Sequence, residues 1–265
     1  MPELPEIEFY RLLAEAAALD RRIVGVFAPD PWFLKRGLTA EALAAALTGA
    51  RFTAARRIGK LLLLDTIRRR RPGPVLGLRF GMTGRLLVDA AAGIEALEYA
   101  SARDEPAWDR VTIRFADRGD LRVRDARRLG GVELDPDENR LGVDALVLTP
   151  AGLRAALGAS IAPLKARLMD QGRVAGMGNL LIDETLWRAG LDPARPAGSL
   201  TEAERRRLHR YLRLTVTELM ARGGSHTGEL HVARVRGGLC PRDGAPLERR
   251  TVGGRTTYSC PVHQR

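Results

Sequence analysis

"QGRVAGMGNLLIDETLWRAG" (Gln171–Gly190) is the stretch on which the reading of the fold turns. Gly176 and Gly178 bracket a tight turn, Asn179 opens a helix with Leu186 and Trp187 on its apolar side, and Gly190 stops it. Backbone N–H groups at such a turn and helix start suit a phosphate. The same pattern also describes an ordinary packing joint between two helices. Helical texture continues on both sides. "PAGLRAALGASIAPLKARLMDQ" precedes the turn, and "TEAERRRLHRYLRLTVTELMARGG" follows it with Thr201 as N-cap, Glu204 at the capping-box position and Gly223 and Gly224 as its stop.

Further out the texture changes. Toward the N-terminus, "DPDENRLGVDALVLTP" is a polar connector. Before it lie short apolar or alternating runs that read as strands and hairpins: "RIVGVFA", "ARFTAARRIGKLLLLDT", "GPVLGLRFGMTGRLLVD", "RVTIRFAD" and "DLRVRDARRLGGVEL". "TAEALAAALTGA" interrupts them as a short helix with Thr39 as N-cap and Gly49 as stop. Toward the C-terminus the chain is Gly- and Arg-rich and reads as a hairpin. It spaces Cys240 and Asp243 as C-x2-D and Cys260 and His263 as C-x2-H, with 16 residues between the pairs. All four residue types can ligate zinc, and paired knuckles around a hairpin are a finger layout; a zinc-free hairpin fits the same spacing.

The first eight residues, "MPELPEIE", are unusual for a chain end. With Met1 removed, Pro2 becomes a free secondary amine, and an α-amino group titrates near 7.7–8.0 against about 10.4 for lysine. Its neutral form can attack an electrophilic carbon and form an iminium. Glu3 and Glu6 are three apart and are expected on one helical face beside that amine, as general acid–base and orienting group. A plain helix start, to which Pro and Glu are suited, is the competing reading.

Composition narrows the partners. The 265-residue chain is 45% hydrophobic and 28% charged, with a net charge of +11 and a pI of about 10.7. So basic a chain meets a polyanion, nucleic acid first. Only three of 43 basic residues are lysines, namely Lys35, Lys60 and Lys165. Lys60 follows Gly59 at an apparent hairpin tip, where it could reach a phosphate or simply be solvated. No run of 18 apolar residues predicts a membrane span, no basic-then-apolar leader is seen, and two cysteines make no disulfide framework, so a cytoplasmic protein is expected.

Together, in this order, "PELPEIE", "DQGRVAGMGNLLIDETLWRAG" and the finger spacing resemble the formamidopyrimidine-DNA glycosylase and endonuclease VIII family of base-excision repair enzymes. The resemblance covers essentially the whole chain. It implies an α+β protein: a leading helix with a β-sandwich domain over residues 1–135, a linker over 136–150, a helix–two-turn–helix domain over 151–230 and a zinc-finger-like hairpin over 231–265. It implies a DNA glycosylase with abasic-site lyase activity, acting as a monomer on double-stranded DNA that carries damaged bases or abasic sites. Pro2 would attack C1′ and hold the sugar as a Schiff base. Glu3 would shuttle protons, Glu6 would position the lesion site, and Lys60 would contact phosphate or the surroundings of the damaged base. Asn179 and Arg255 would grip phosphates, Met82 would fill the void left by the extruded base, and Arg127 would face the orphaned one.

The chain departs from the family pattern in four places. Leu129 stands where many relatives carry Phe. Arg79 stands where relatives carry His, a change that keeps a phosphate contact possible. Asp243 and His263 replace two finger cysteines. The segment "GGSHTGELHVARVRGGLC" is short where purine-type relatives have a loop over a flipped 8-oxoguanine, whereas "PELPE" leans toward the formamidopyrimidine branch. A non-catalytic DNA-binding protein of the same fold is the alternative, while an RNA-binding finger protein is disfavoured by only 5% aromatics.

Overall fold

Alternating apolar residues dictate strands over most of the first half of the chain. The computed structural model describes residues 2–94, 97, 101 and 103–265, and divides into two compact units. The first takes Pro2 and Glu6–Glu138; the second takes Glu3–Pro5 and Asn139–Arg265. Met1 lies outside the described residues.

The first unit begins with helix α1 (Leu4–Ala17), then β1 (Ile23–Phe27) and α2 (Ala40–Leu47), whose Thr39 side chain accepts from the Ala42 N–H as expected. Next come β2 (Arg51–Ile58), β3 (Leu61–Arg68), β4 (Arg71–Pro72), β5 (Leu76–Arg79), β6 (Arg85–Val88), β7 (Ala91–Ala92), β8 (Asp109–Phe115), β9 (Asp120–Arg124) and β10 (Gly131–Leu134). They form two antiparallel sheets, ordered β1-β8-β9-β6-β7 and β10-β5-β3-β2, with β4 also pairing β3. One core joins the sheets: Val111, Ile113 and Phe115 from one and Leu62, Leu64 and Leu78 from the other, closed by Ile7, Tyr10 and Ala14 of α1. Each of the Val, Ile, Leu and Phe side chains contributes on the order of 2 kcal/mol on burial.

The second unit contains β11 (Val143–Asp144), α3 (Pro150–Leu157), α4 (Leu164–Met169), β12 (Val174–Ala175), α5 (Asn179–Ala189), α6 (Glu202–Ala221), α7 (Glu229–Ala233), β13 (Glu248–Val252) and β14 (Arg255–Ser259). The run read as one helix before the turn is two: Gly158 (φ 55°) ends α3, and Pro163 starts α4. Proline cannot continue a helix from the preceding residues, and left-handed glycine is a usual stop. The expected capping box at Thr201 and Glu204 forms in full. β11 and β12 pair in parallel, and β13 and β14 make the C-terminal hairpin. Among the described residues no helix is long and apolar enough to cross a membrane.

Candidate active site and metal centre

A helix N-terminus leaves backbone N–H groups without partners, and a carboxylate satisfies them. In the second unit the N-terminus of α5 takes Glu3: Oε1 accepts from Leu180 N at 2.9 Å and Oε2 from Leu181 N at 3.1 Å. Glu3 is fully buried. A Cβ on Gly178 would fall 2.2 Å from Glu3 Cδ, so the carboxylate can sit there only above a glycine. Leu4 N donates to Gly176 O, tying the chain's start to the same turn. Two expectations change. Glu3 precedes α1 and does not share a helical face with Glu6. The N–H groups of Leu180 and Leu181, offered by the sequence to a phosphate, are held by Glu3. Asn179 stays beside this turn with its Oδ1 buried and, among the described residues, without a hydrogen-bond partner.

In the first unit Glu6 is buried on α1. One turn on, the Tyr10 hydroxyl donates to Gly84 O at 3.0 Å. Burial, reinforced by the charge of Glu6, pushes the Tyr10 pKa far above the phenol range, so it remains a neutral donor. Lys60 stands at the β2–β3 tip beside Gly59 (φ 56°), half-buried, as its sequence position predicted. Arg79 Nε donates to the buried Glu133 at 3.1 Å, while Arg36 takes the other oxygen at 2.8 Å, so the residue standing in place of a histidine already has a carboxylate partner.

Two loops carry the remaining candidates of this unit. Met82 lies on the turn between β5 and β6; Arg127 and Leu129 lie between β9 and β10, with Leu129 half exposed at 50%. The sequence did not single out what joins them. Buried Asp125 accepts from Thr83 Oγ1 at 2.5 Å, Arg127 N at 3.1 Å and Gly130 N at 2.8 Å. A Cβ on Gly81 would meet the Leu129 carbonyl carbon at 2.5 Å, so the two backbones touch where glycine alone fits. Arg128 then clamps Asp30 with two bonds of 2.7 Å. The loops are thereby one rigid piece presenting Met82, Arg127 and Leu129.

The finger residues converge in the second unit. One ligand atom from each of Cys240, Asp243, Cys260 and His263 lies within 4.8 Å of the others. Cys260 Sγ is 3.3 Å from Asp243 Oδ2, Cys240 Sγ is 3.7 Å from His263 Nδ1, and His263 Nδ1 is 2.7 Å from Asp243 Oδ2. A tetrahedral ion with bonds of about 2.0–2.3 Å separates its ligands by roughly 3.3–3.8 Å, which the Cys260–Asp243 and Cys240–His263 spacings match while His263 and Asp243 stand closer. His263 Nε2 lies 3.2 Å from the Trp187 carbonyl, which holds the ring with Nδ1 turned to the cluster. The imidazole of His263 holds the Asp243 carboxyl well below the usual carboxylate range, and burial raises the Cys260 thiol.

Arg255 projects, exposed, from the start of β14. Behind its strand lies a network whose roles the sequence did not suggest. Fully buried Lys165 donates to Asp183 Oδ1 at 2.6 Å, Thr257 Oγ1 at 2.8 Å and Thr256 O at 3.3 Å. Asp183 also accepts from Arg234 and from Tyr258 N. Burial pulls the Lys165 pKa down and Asp183 opposes it. The hairpin turn rests on α4 as well, since a Cβ on Gly253 would meet Ala166 Cβ at 2.7 Å. The only forewarning was that Lys165 is one of three lysines in an arginine-rich chain.

Comparison with known proteins agrees over the full length. The formamidopyrimidine-DNA glycosylase N-terminal domain model matches residues 1–132, and the formamidopyrimidine-DNA glycosylase H2TH domain model matches 141–230. The formamidopyrimidine-DNA glycosylase of Geobacillus kaustophilus is 34% identical, with all of both chains covered. That of Thermus thermophilus is 35% identical, covering 100% of this chain and 98% of its own. The Lactococcus lactis formamidopyrimidine-DNA glycosylase bound to DNA with an abasic site superposes over all of both chains, with a TM-score of 0.82 and 28% identity. Its complex with DNA containing an N7-benzyl formamidopyrimidine gives 0.82 at 26%.

Proposed function

Since the chain belongs to the formamidopyrimidine-DNA glycosylase family, we propose that it excises oxidised bases from double-stranded DNA and cleaves the resulting abasic site, with Pro2 as nucleophile. The observation that carries this reading is Glu3: a buried carboxylate, adjacent in the chain to Pro2, with both oxygens oriented by N–H groups of α5. Neutral Pro2 nitrogen attacks C1′, and the bond from C1′ to the base breaks with its electron pair leaving on the base, which takes a proton from water. Glu3 delivers a proton to the opening sugar and takes up the proton released by the amine. The iminium so formed withdraws electrons from C2′. Loss of a C2′ proton expels the 3′ phosphate, and a second elimination expels the 5′ phosphate. The target base must leave the stack, and Met82, Arg127 and Leu129 occupy its place and face its partner. Leu129 makes a smaller wedge than Phe. Glu6 and Lys60 line the lesion site, and Asn179, Arg79 and Arg255 take phosphates.

The donor set suits zinc, and we assign Cys240, Asp243, Cys260 and His263 as the residues that would hold it. Bound there, the ion supplies structural cross-linking at the base of the hairpin, with no part in the chemistry.

Borohydride added to the protein on duplexes carrying an abasic site, 8-oxoguanine, a formamidopyrimidine or an oxidised pyrimidine tests the mechanism. Trapping is expected on the abasic duplex and on the preferred lesion, and Pro2→Gly removes it. Glu3→Gln is expected to lose base excision and retain part of the cleavage of a ready-made abasic site. Tight binding with no trapping on any duplex would make the protein a non-catalytic damage binder.

A further inference from the structure

Some arginines of the first unit are matched by carboxylates. Arg21 bridges Asp89 and Asp117, Arg56 bridges Asp65 and Glu138, Arg124 holds Asp109, and Arg128 holds Asp30. Others without a carboxylate partner stand together at one edge. Arg22, Arg51, Arg68 and Arg69 line a hollow of about 580 Å³ with Asp20 as its only acid. Among the described residues none of the four is in an ion pair, and all are exposed. Arg70 and Arg71 extend the same edge, giving four consecutive arginines from Arg68 to Arg71.

The turn that displays them is locally unfavourable. Arg68 pairs with Arg71, so Arg69 and Arg70 form a two-residue hairpin loop, at φ 51° and 64°. Positive φ at both positions is the geometry for which Asn-Gly is preferred, because a larger L-residue is strained there. Here two arginines occupy it. Functional or strained positions are where such departures from local preference are expected. The hollow is also remote from the reacting end of its own hairpin. Arg51 pairs Ile67 at one end of β2–β3, and Ile58 pairs Leu61 beside Lys60 at the other. Seven residue steps at roughly 3.3 Å place them about 23 Å apart, so a phosphate held by Lys60 is not one held by Arg51.

We propose that this hollow is a second nucleic-acid site, binding the phosphodiester backbone of a DNA segment other than the one engaged at Pro2. Guanidinium groups pair phosphate oxygens in bidentate fashion, and a concave surface with four arginines against one aspartate concentrates a positive field. The protein would thereby hold two duplex segments at once, one under repair and one as a tether. The inference is independent of the excision chemistry.

The test saturates the protein with a short unlabelled duplex carrying an uncleavable abasic-site analogue, then titrates a fluorescent undamaged duplex and follows anisotropy. Wild-type protein is expected to bind the second duplex with a steep salt dependence. The double substitution Arg69→Asn and Arg70→Gly installs the preferred turn, so thermal stability should hold or rise while second-duplex affinity falls several-fold. Adding Arg51→Glu should weaken it tenfold or more and reduce the salt slope by about 2 to 3. Excision from the short duplex should not change. A saturated wild-type protein that takes no second duplex, or second-duplex binding by the turn variant and the triple variant equal to that of wild type, overturns the proposal. A first duplex that fails to bind counts against the excision reading alone, and the fluorescent duplex is then titrated onto the free protein with the same expectations.

Discussion

The loops that present Met82, Arg127 and Leu129 and the hairpin that presents Arg255 are fixed by opposite means. Inside, the loops are held by neutral donors on one buried carboxylate, Asp125, and by backbone contact at Gly81, with only the half-exposed Arg128 adding an ion pair to Asp30 at the rim. The hairpin is held by buried charges, with Lys165, Asp183 and Arg234 at one end and four metal-competent side chains at the other. A carboxylate surrounded by N–H and O–H groups needs no counter-ion close by, so its loops can be short and glycine-laced. A small hairpin has little core of its own and depends on stronger individual links. The difference indicates where each part fails first.

Lys165→Met should have the largest effect. It leaves Asp183 buried with less compensation, and we expect a loss of about 3–5 kcal/mol in urea unfolding, partly recovered by Lys165→Met with Asp183→Leu. If the single variant were neutral, the hairpin would be held by its metal-competent end alone. Asp125→Ala removes the acceptor for three donors and should cost about 2–3 kcal/mol. It should also lower lesion excision more than binding to undamaged duplex, because it loosens the side chains that replace the extruded base. Thr83→Val removes one of those hydrogen bonds, and about 1 kcal/mol is expected by thermal melting.

The smallest effect belongs to a surface contrast, Arg195 with Glu204 at the start of α6. Hydrogen bonds from Arg195 hold the Glu204 pKa down at about 2. Its contribution is therefore present above the unfolded carboxylate pKa of about 4.3 and fades as pH falls toward 2. Glu204→Gln should remove that part of the acid dependence, worth a few tenths of a kcal/mol at neutral pH.

How legible these regions were follows from the same physics. Alternation gave the strands, and Gly-x-Gly before an apolar helix gave the turn, because backbone geometry and burial are written locally. Glu3 illustrates the limit. Its spacing from Glu6 suggested a shared helical face, yet the carboxylate is claimed by N–H groups 177 and 178 residues away, a contact with no local signature. The hairpin residues were legible through their cysteine spacing, whereas Asp183 and Arg234 were hidden. A charged residue in an otherwise apolar helix looks like a solvent-facing position until its partners on other elements are seen. Asp125 lies within "DARRLGG", but a lone aspartate in a polar loop carries no local mark of being buried among three donors.

Helix α5 has a consequence of its own. All ten residues from Leu180 to Ala189 are buried, including Asp183, Glu184 and Arg188. Glu184 receives the N-terminus of α7 as Glu3 is received by α5, and Arg188 ties Glu184 to α6 through Glu218. An amphipathic helix tolerates change in a wave with a period of 3.6 residues. Here the wave is flattened: no face is spare, and drift at one position must be matched on another element. Divergence along this helix should therefore proceed by paired exchanges, making it the slowest clock in the molecule.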